Sequence, residues 1–219
     1  MRGLLTVLLL GVAFFCLTAQ GTVSAQDDYA TKRGGPQNPT VLELKSLPAF
    51  CTAKWKLDAG QPNAEEIREW RNTLGEAFDH LHHYCDGLNF VNRVRRGVGD
   101  KGTLLGLALG EFHYMQRIPS DNVLRPQLEL NIGQALYMAD RIPEATAALR
   151  KAILLKPGYE GAYLLLSFCY RRLGDSTRAA RTLEEGTTRV PDSRALRDAL
   201  EWMNSQKEKP DGGAQVIKR

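Results

Sequence analysis

The chain has 219 residues, and its 29 lysines and arginines are nearly balanced by 25 aspartates and glutamates, leaving a formal net charge of +4. So small an excess gives no blanket attraction to nucleic acid, and no nucleic-acid partner is expected. No Cys-x-x-Cys-His, His-Glu-x-x-His or Gly-x-Ser-x-Gly pattern is present, so haem attachment, zincin chemistry and the serine nucleophile elbow have no foothold.

At the amino end, Arg2 precedes an apolar run from Leu4 to Phe15, and small residues follow at Val23-Ser24-Ala25. The run is too short for a membrane span, so residues 1–25 read as a signal peptide cleaved near Ala25. Phe15 before Cys16 argues against lipid attachment. The mature chain is therefore expected to be periplasmic or secreted, with no transmembrane anchor and with Gln26 as its first residue. Residues 26–46 are polar and punctuated by Gly34, Gly35, Pro36 and Pro39, and read as a flexible leader.

Residues 47–124 read as a degenerate helical region that opens with an irregular stretch around Leu47-Pro48-Ala49-Phe50-Cys51. Asn63 with Glu66 has capping-box spacing, and Ile67, Trp70, Leu74, Phe78, Leu81, Cys85 and Leu88 share one helical face, with Gly75 and Gly87 as candidate breaks. A turn at 97–101 leads into a second helix, to about Arg117, with Gly102, Gly106 and Gly110 in file, a pattern that permits close helix contact. Gly97-Val98-Gly99-Asp100-Lys101-Gly102 has the spacing of a dinucleotide fingerprint, but it follows a helical pattern instead of a strand, so it carries no cofactor expectation.

Export changes the reading of the cysteines. Cys169 falls between Phe168 and Tyr170 at a packing position and reads as a buried free thiol, leaving Cys51 and Cys85 as the natural disulfide pair; the alternative is two reduced, buried thiols. His80, His82 and His83 precede Cys85, and His80 and His83 lie one helical turn apart, so an exported metal-binding or redox protein is the alternative functional class. Cys85 and His83 fall on nearly opposite faces, so one compact shell is hard to build, and no metal ligand is assigned.

From Arg125 to Asp192 the chain says nearly the same thing twice, 34 residues apart. Ile132 pairs with Leu166, Gly133 with Ser167, Leu136 with Tyr170, Ala145 with Ala179, Leu149 with Leu183 and Pro157 with Pro191. These residues resemble the tetratricopeptide repeat family, with two departures: Glu129 stands where a bulky residue belongs, beside Leu128 and Leu130, and Gly186 replaces an alanine. The resemblance implies an all-α fold: a short α-solenoid with two repeats over 125–192 and a degenerate helical hairpin before them. Leu196, Leu200 and Met203 share a face of a last helix that Asp192 can start, read as a capping helix over 193–205, and the polar, glycine-containing residues 206–219 read as a disordered tail. Pro48-Ala49-Phe50-Cys51 and His82-His83-Tyr84-Cys85 ahead of the repeats also look like a group of exported bacterial proteins with the same repeat.

In such arrays the concave residues of each first helix bind the ligand. That implies a protein-binding surface of Gln127, Leu130, Gln134, Tyr137 and Met138 from the first repeat and Leu164, Phe168, Arg171 and Arg172 from the second. The lysine and asparagine by which some members clamp a carboxyl terminus are absent, Leu130 and Gln134 standing there instead. The expectation is thus a non-enzymatic scaffold for a protein or peptide of the cell envelope, with no cofactor.

Overall fold

Ten α-helices and no strand make up the described residues, 39–118 and 123–207 of the computed structural model. Helix α1 is Val41–Lys45, α2 Ala49–Asp58, α3 Ala64–Leu74, α4 Leu81–Arg95 and α5 Lys101–Arg117. The repeats follow as α6 Arg125–Met138 with α7 Ile142–Leu155, and α8 Glu160–Arg172 with α9 Ser176–Arg189; α10 is Arg194–Lys207. From α4 onward each helix packs against the next, and α2 packs against α4, so the described residues form a short helical solenoid. The expected signal peptide, most of the expected leader and the expected tail from residue 208 onward lie outside the described residues.

The 34-residue period is visible in the backbone. Asp140 and Gly174, one period apart, both take positive φ, 61° and 75°, in the turn between the helices of a hairpin. Each turn closes with the same bond: Arg141 N–H donates to the Leu136 carbonyl and Asp175 N–H to the Tyr170 carbonyl, both at 2.9 Å. Helices α7 and α9 end just before Pro157 and Pro191, as the missing proline N–H requires.

The small residues of the repeat are dictated by close approach. A Cβ on Gly133 would sit 2.6 Å from Leu149, and one on Gly186 would meet Tyr163 and Leu196 at 3.0 Å. The departure at Gly186 thus follows from the space left by the Tyr163 ring and the capping helix. The other departure, Glu129, is 1% exposed and held between elements. Gln116 of α5 donates to both its carboxylate oxygens at 3.0 Å, and Lys151 of α7 lies 2.6 Å away. A polar clamp therefore ties three helices where the family pattern has an apolar contact.

Several sequence expectations are corrected. The last part of the expected leader is helical: Thr40 and Glu43 form a capping box around α1, and Leu44 and Leu47 are buried. The stretch around Cys51 is helical, not irregular, with Cys51, Ala53 and Trp55 in the core. The helix expected from Asn63 through Leu88 divides at Gly75, whose φ of 58° leads into the 3-10 turn Gly75–Phe78. Gly87 does not break α4; a Cβ there would lie 2.5 Å from the Phe112 ring, so it is the seat of α5 against α4. The file Gly106 and Gly110 makes no close contact and faces outward. Ser193, not Asp192, caps α10, accepting from Leu196 N–H at 3.1 Å, because its side chain is turned into the structure.

Candidate functional site

Gly87 and Gly133 are equivalent: each is a small residue in the first helix of a hairpin, pressed by a large side chain of the second, Phe112 or Leu149. Aligning the hairpins on Gly87, Gly133 and Ser167 places Tyr84, Leu130 and Leu164 in one row and Leu88, Gln134 and Phe168 in the next. All six line one open groove of about 750 Å³ across α4, α6 and α8. Its further wall comes from the α1–α2 junction, with Leu47, Pro48 and Phe50. Phe50 contacts Tyr84 at 6.0 Å between ring centroids and meets Trp70 edge-on at 5.6 Å.

The disulfide fixes that wall. Cys51 of α2 is joined to Cys85 of α4, their Cα atoms 5.6 Å apart, and the bridge adjoins Phe50 and Tyr84, both of which line the groove. Glu43 supplies a second tie: Arg93 donates two hydrogen bonds to its carboxylate at 2.8 and 2.9 Å, and Arg96 donates one at 2.7 Å. The Arg93 hydrogen bonds hold the Glu43 carboxyl down at about 2, well below its ordinary 4.5. Cys169 is free and buried, and burial pushes its thiol up to about 11, so it is inert at neutral pH.

Inside the groove the polar groups are neutral apart from one cation. Asn131 donates to the Tyr84 hydroxyl oxygen at 2.8 Å, and burial raises that phenol far above its usual range. The lining residue Gln127 accepts from the hydroxyl of Tyr159 behind it, and burial holds that phenol at about 12. Among the described residues of the lining Arg95 is the sole charged one, and none is His, Cys, Lys, Asp or Glu. The surface can bury apolar side chains and offer the amides of Asn92, Gln127, Asn131 and Gln134.

Of the residues proposed from sequence, Gln127, Leu130, Gln134, Leu164 and Phe168 line this groove, whereas Tyr137, Met138, Arg171 and Arg172 do not. Arg172 is paired with Asp140 at 2.6 Å, and Arg171 lies 4.1 Å over the Trp202 ring. Sequence reasoning missed the α4 wall, Tyr84, Leu88, Val91, Asn92 and Arg95, because the longer helices and turn of the α4–α5 hairpin, together with its longer link to α6, break the 34-residue period; placing Gly87 on Gly133 would have found it.

The histidines are engaged locally. His80 Nδ1 is 3.2 Å from the Tyr114 hydroxyl, and His83 Nδ1 is 2.5 Å from Glu111 while its ring stacks on Tyr114 at 3.7 Å. With Cys85 in the disulfide, the metal or redox alternative loses its thiolate. No group of three or more His, Cys, Asp or Glu side chains placed to hold a metal occurs among the described residues.

Residues 136–202 match the family described as Tetratricopeptide repeat. No curated protein matches the chain significantly. Among solved structures, a crystal structure of MamA aligns with a TM-score of 0.50 at 15% identity, covering 74% of this chain and 85% of that one. A crystal structure described as MamA protein aligns with a TM-score of 0.47 at 15% identity, over 75% and 82% of the two chains. At such identity the first likeness speaks to architecture alone. The matched segment and the repeated turn geometry agree: residues 136–202 carry tetratricopeptide repeats within an all-α solenoid of the tetratricopeptide type.

Proposed function

We propose that the chain is a non-enzymatic exported adaptor, holding a segment of another cell-envelope protein along the groove of α4, α6 and α8. The observation that carries this reading is the recurrence of two first-helix positions, Tyr84/Leu88, Leu130/Gln134 and Leu164/Phe168, along one open apolar channel. Three hairpins presenting the same face make a continuous track for an extended partner, the geometry in which stacked repeats offer affinity without a catalytic cleft. The Cys51–Cys85 bond is compatible with an oxidising compartment outside the cytoplasm, and no described helix is long and apolar enough to cross a membrane.

The test is affinity capture from envelope extract with wild type and with Phe168→Glu, a substitution at a 40% exposed side chain that should leave helicity and Tm nearly unchanged. Mass spectrometry should find a partner retained by wild type and lost by the variant. Equal recovery by both proteins contradicts the reading.

A further inference from the structure

The groove does not end at Phe168. That side chain also lines a smaller notch of about 280 Å³, formed with Arg171, Leu183, Ala199, Trp202 and Met203 between α8, α9 and the capping helix. Phe168 and Trp202, 40% and 45% exposed, are large apolar groups left half open to solvent on either side of this junction. A ligand following the groove past Phe168 therefore meets a second apolar seat.

The charge along this path has one sign. Among the described residues neither the groove nor the notch is lined by an aspartate or glutamate, and their charged residues are Arg95 and Arg171. The clefts formed by α7, α8 and α9, by contrast, contain Glu185 beside their arginines. Arg93, Arg96, Arg141, Arg172 and Arg178 each hold a carboxylate. Arg95 instead reaches the neutral Asn92 side chain at 3.5 Å, and Arg171 lies over the Trp202 ring. Two guanidinium charges without a carboxylate, set beside exposed apolar surface, are complementary to a ligand that brings both acidic and apolar groups.

We propose that the bound segment is an acidic, apolar peptide: its bulky side chains occupy the groove and the Trp202 notch, and its carboxylates meet Arg95 and Arg171. This rests on the groove being the ligand surface. The amides of Asn92, Gln127, Asn131 and Gln134 interleave with the apolar lining and suit a peptide backbone, which has donors and acceptors to meet them, as an acyl chain does not.

The probe is a random dodecapeptide phage library panned on the folded, disulfide-bonded protein, with the selected peptides measured by fluorescence anisotropy at low salt. Recovered peptides should combine Leu, Phe or Trp with Asp or Glu. Arg95→Glu should weaken their binding by about tenfold or more, Arg95→Lys should retain most of it, and Trp202→Ala should weaken it without altering the circular dichroism spectrum. Peptides that are lost with Phe168→Glu but carry no acidic residues and ignore Arg95→Glu would overturn this proposal and leave the adaptor reading standing. Recovery of no binders, or of binders indifferent to Phe168→Glu, would overturn both.

Discussion

Glu43 shows how much one residue can hold. It is 5% exposed, accepts the Thr40 N–H at 2.8 Å as half of a capping box, and binds the guanidinium groups of Arg93 and Arg96. A carboxyl lowered from 4.5 to about 2 in the folded state contributes stability that is fully present above pH 4.5 and is lost as pH falls toward 2. Glu43→Gln keeps the shape but not the charge, so it should cost about 2 to 3 kcal/mol at neutral pH. In chemical denaturation series, the gap between wild type and variant should close as the solution is acidified; a constant gap would mean that the charge is irrelevant. Glycines make an opposite pair. Gly87→Ala drives a methyl into the Phe112 ring and should destabilise by about 1 to 3 kcal/mol, whereas Gly106→Ala meets no atom within 4 Å and should stabilise by about 0.5 to 1 kcal/mol. Thermal melts of the two variants should shift in opposite directions.

Among the elements, α1 and α2 were the least legible in the sequence, and the reason is physical. Helix α1 is only five residues long, and its place is set by the distant Arg93 and Arg96. Helix α2 starts at Pro48 without a side-chain cap and buries Lys54, paired with Asp58 at 3.1 Å, beside Cys51 and Trp55, so no clean amphipathic stripe marks it. The break at Gly75 was legible as a candidate, but Gly87, an identical residue in the same run, proved to be a packing site; only the tertiary position of Phe112 distinguishes them. The Cys51–Cys85 link carries what these helices lack in local propensity. Closing a loop of this separation should add about 3 to 4 kcal/mol by restricting the unfolded chain. Cys85→Ser should lower stability by about that amount and loosen the wall formed by Phe50 and Tyr84, so ligand affinity should fall more than for a surface variant of equal activity in refolding. Non-reducing peptide mapping should recover Cys51 joined to Cys85 with Cys169 free; alkylation of all three thiols in unreduced protein would contradict the bond.

For the whole molecule, the solenoid was readable because Gly133, Ala145, Leu149 and their partners 34 residues later repeat what stacked hairpins need. The groove was readable in its repeat half, through Leu130, Gln134, Leu164 and Phe168, and hidden in its α4 half, where the period is lost before Arg125. The proposed ligand surface occupies one face of the solenoid and leaves the other to solvent. Leu154, 79% exposed in a cleft away from the groove, is the natural control for Leu164, which lines it. The most direct measurement places a photoreactive benzophenone side chain at either position in the full chain and irradiates it with the captured partner. Covalent adducts should form from position 164 and not from position 154; adducts from 154 with none from 164 would contradict the assignment of the groove.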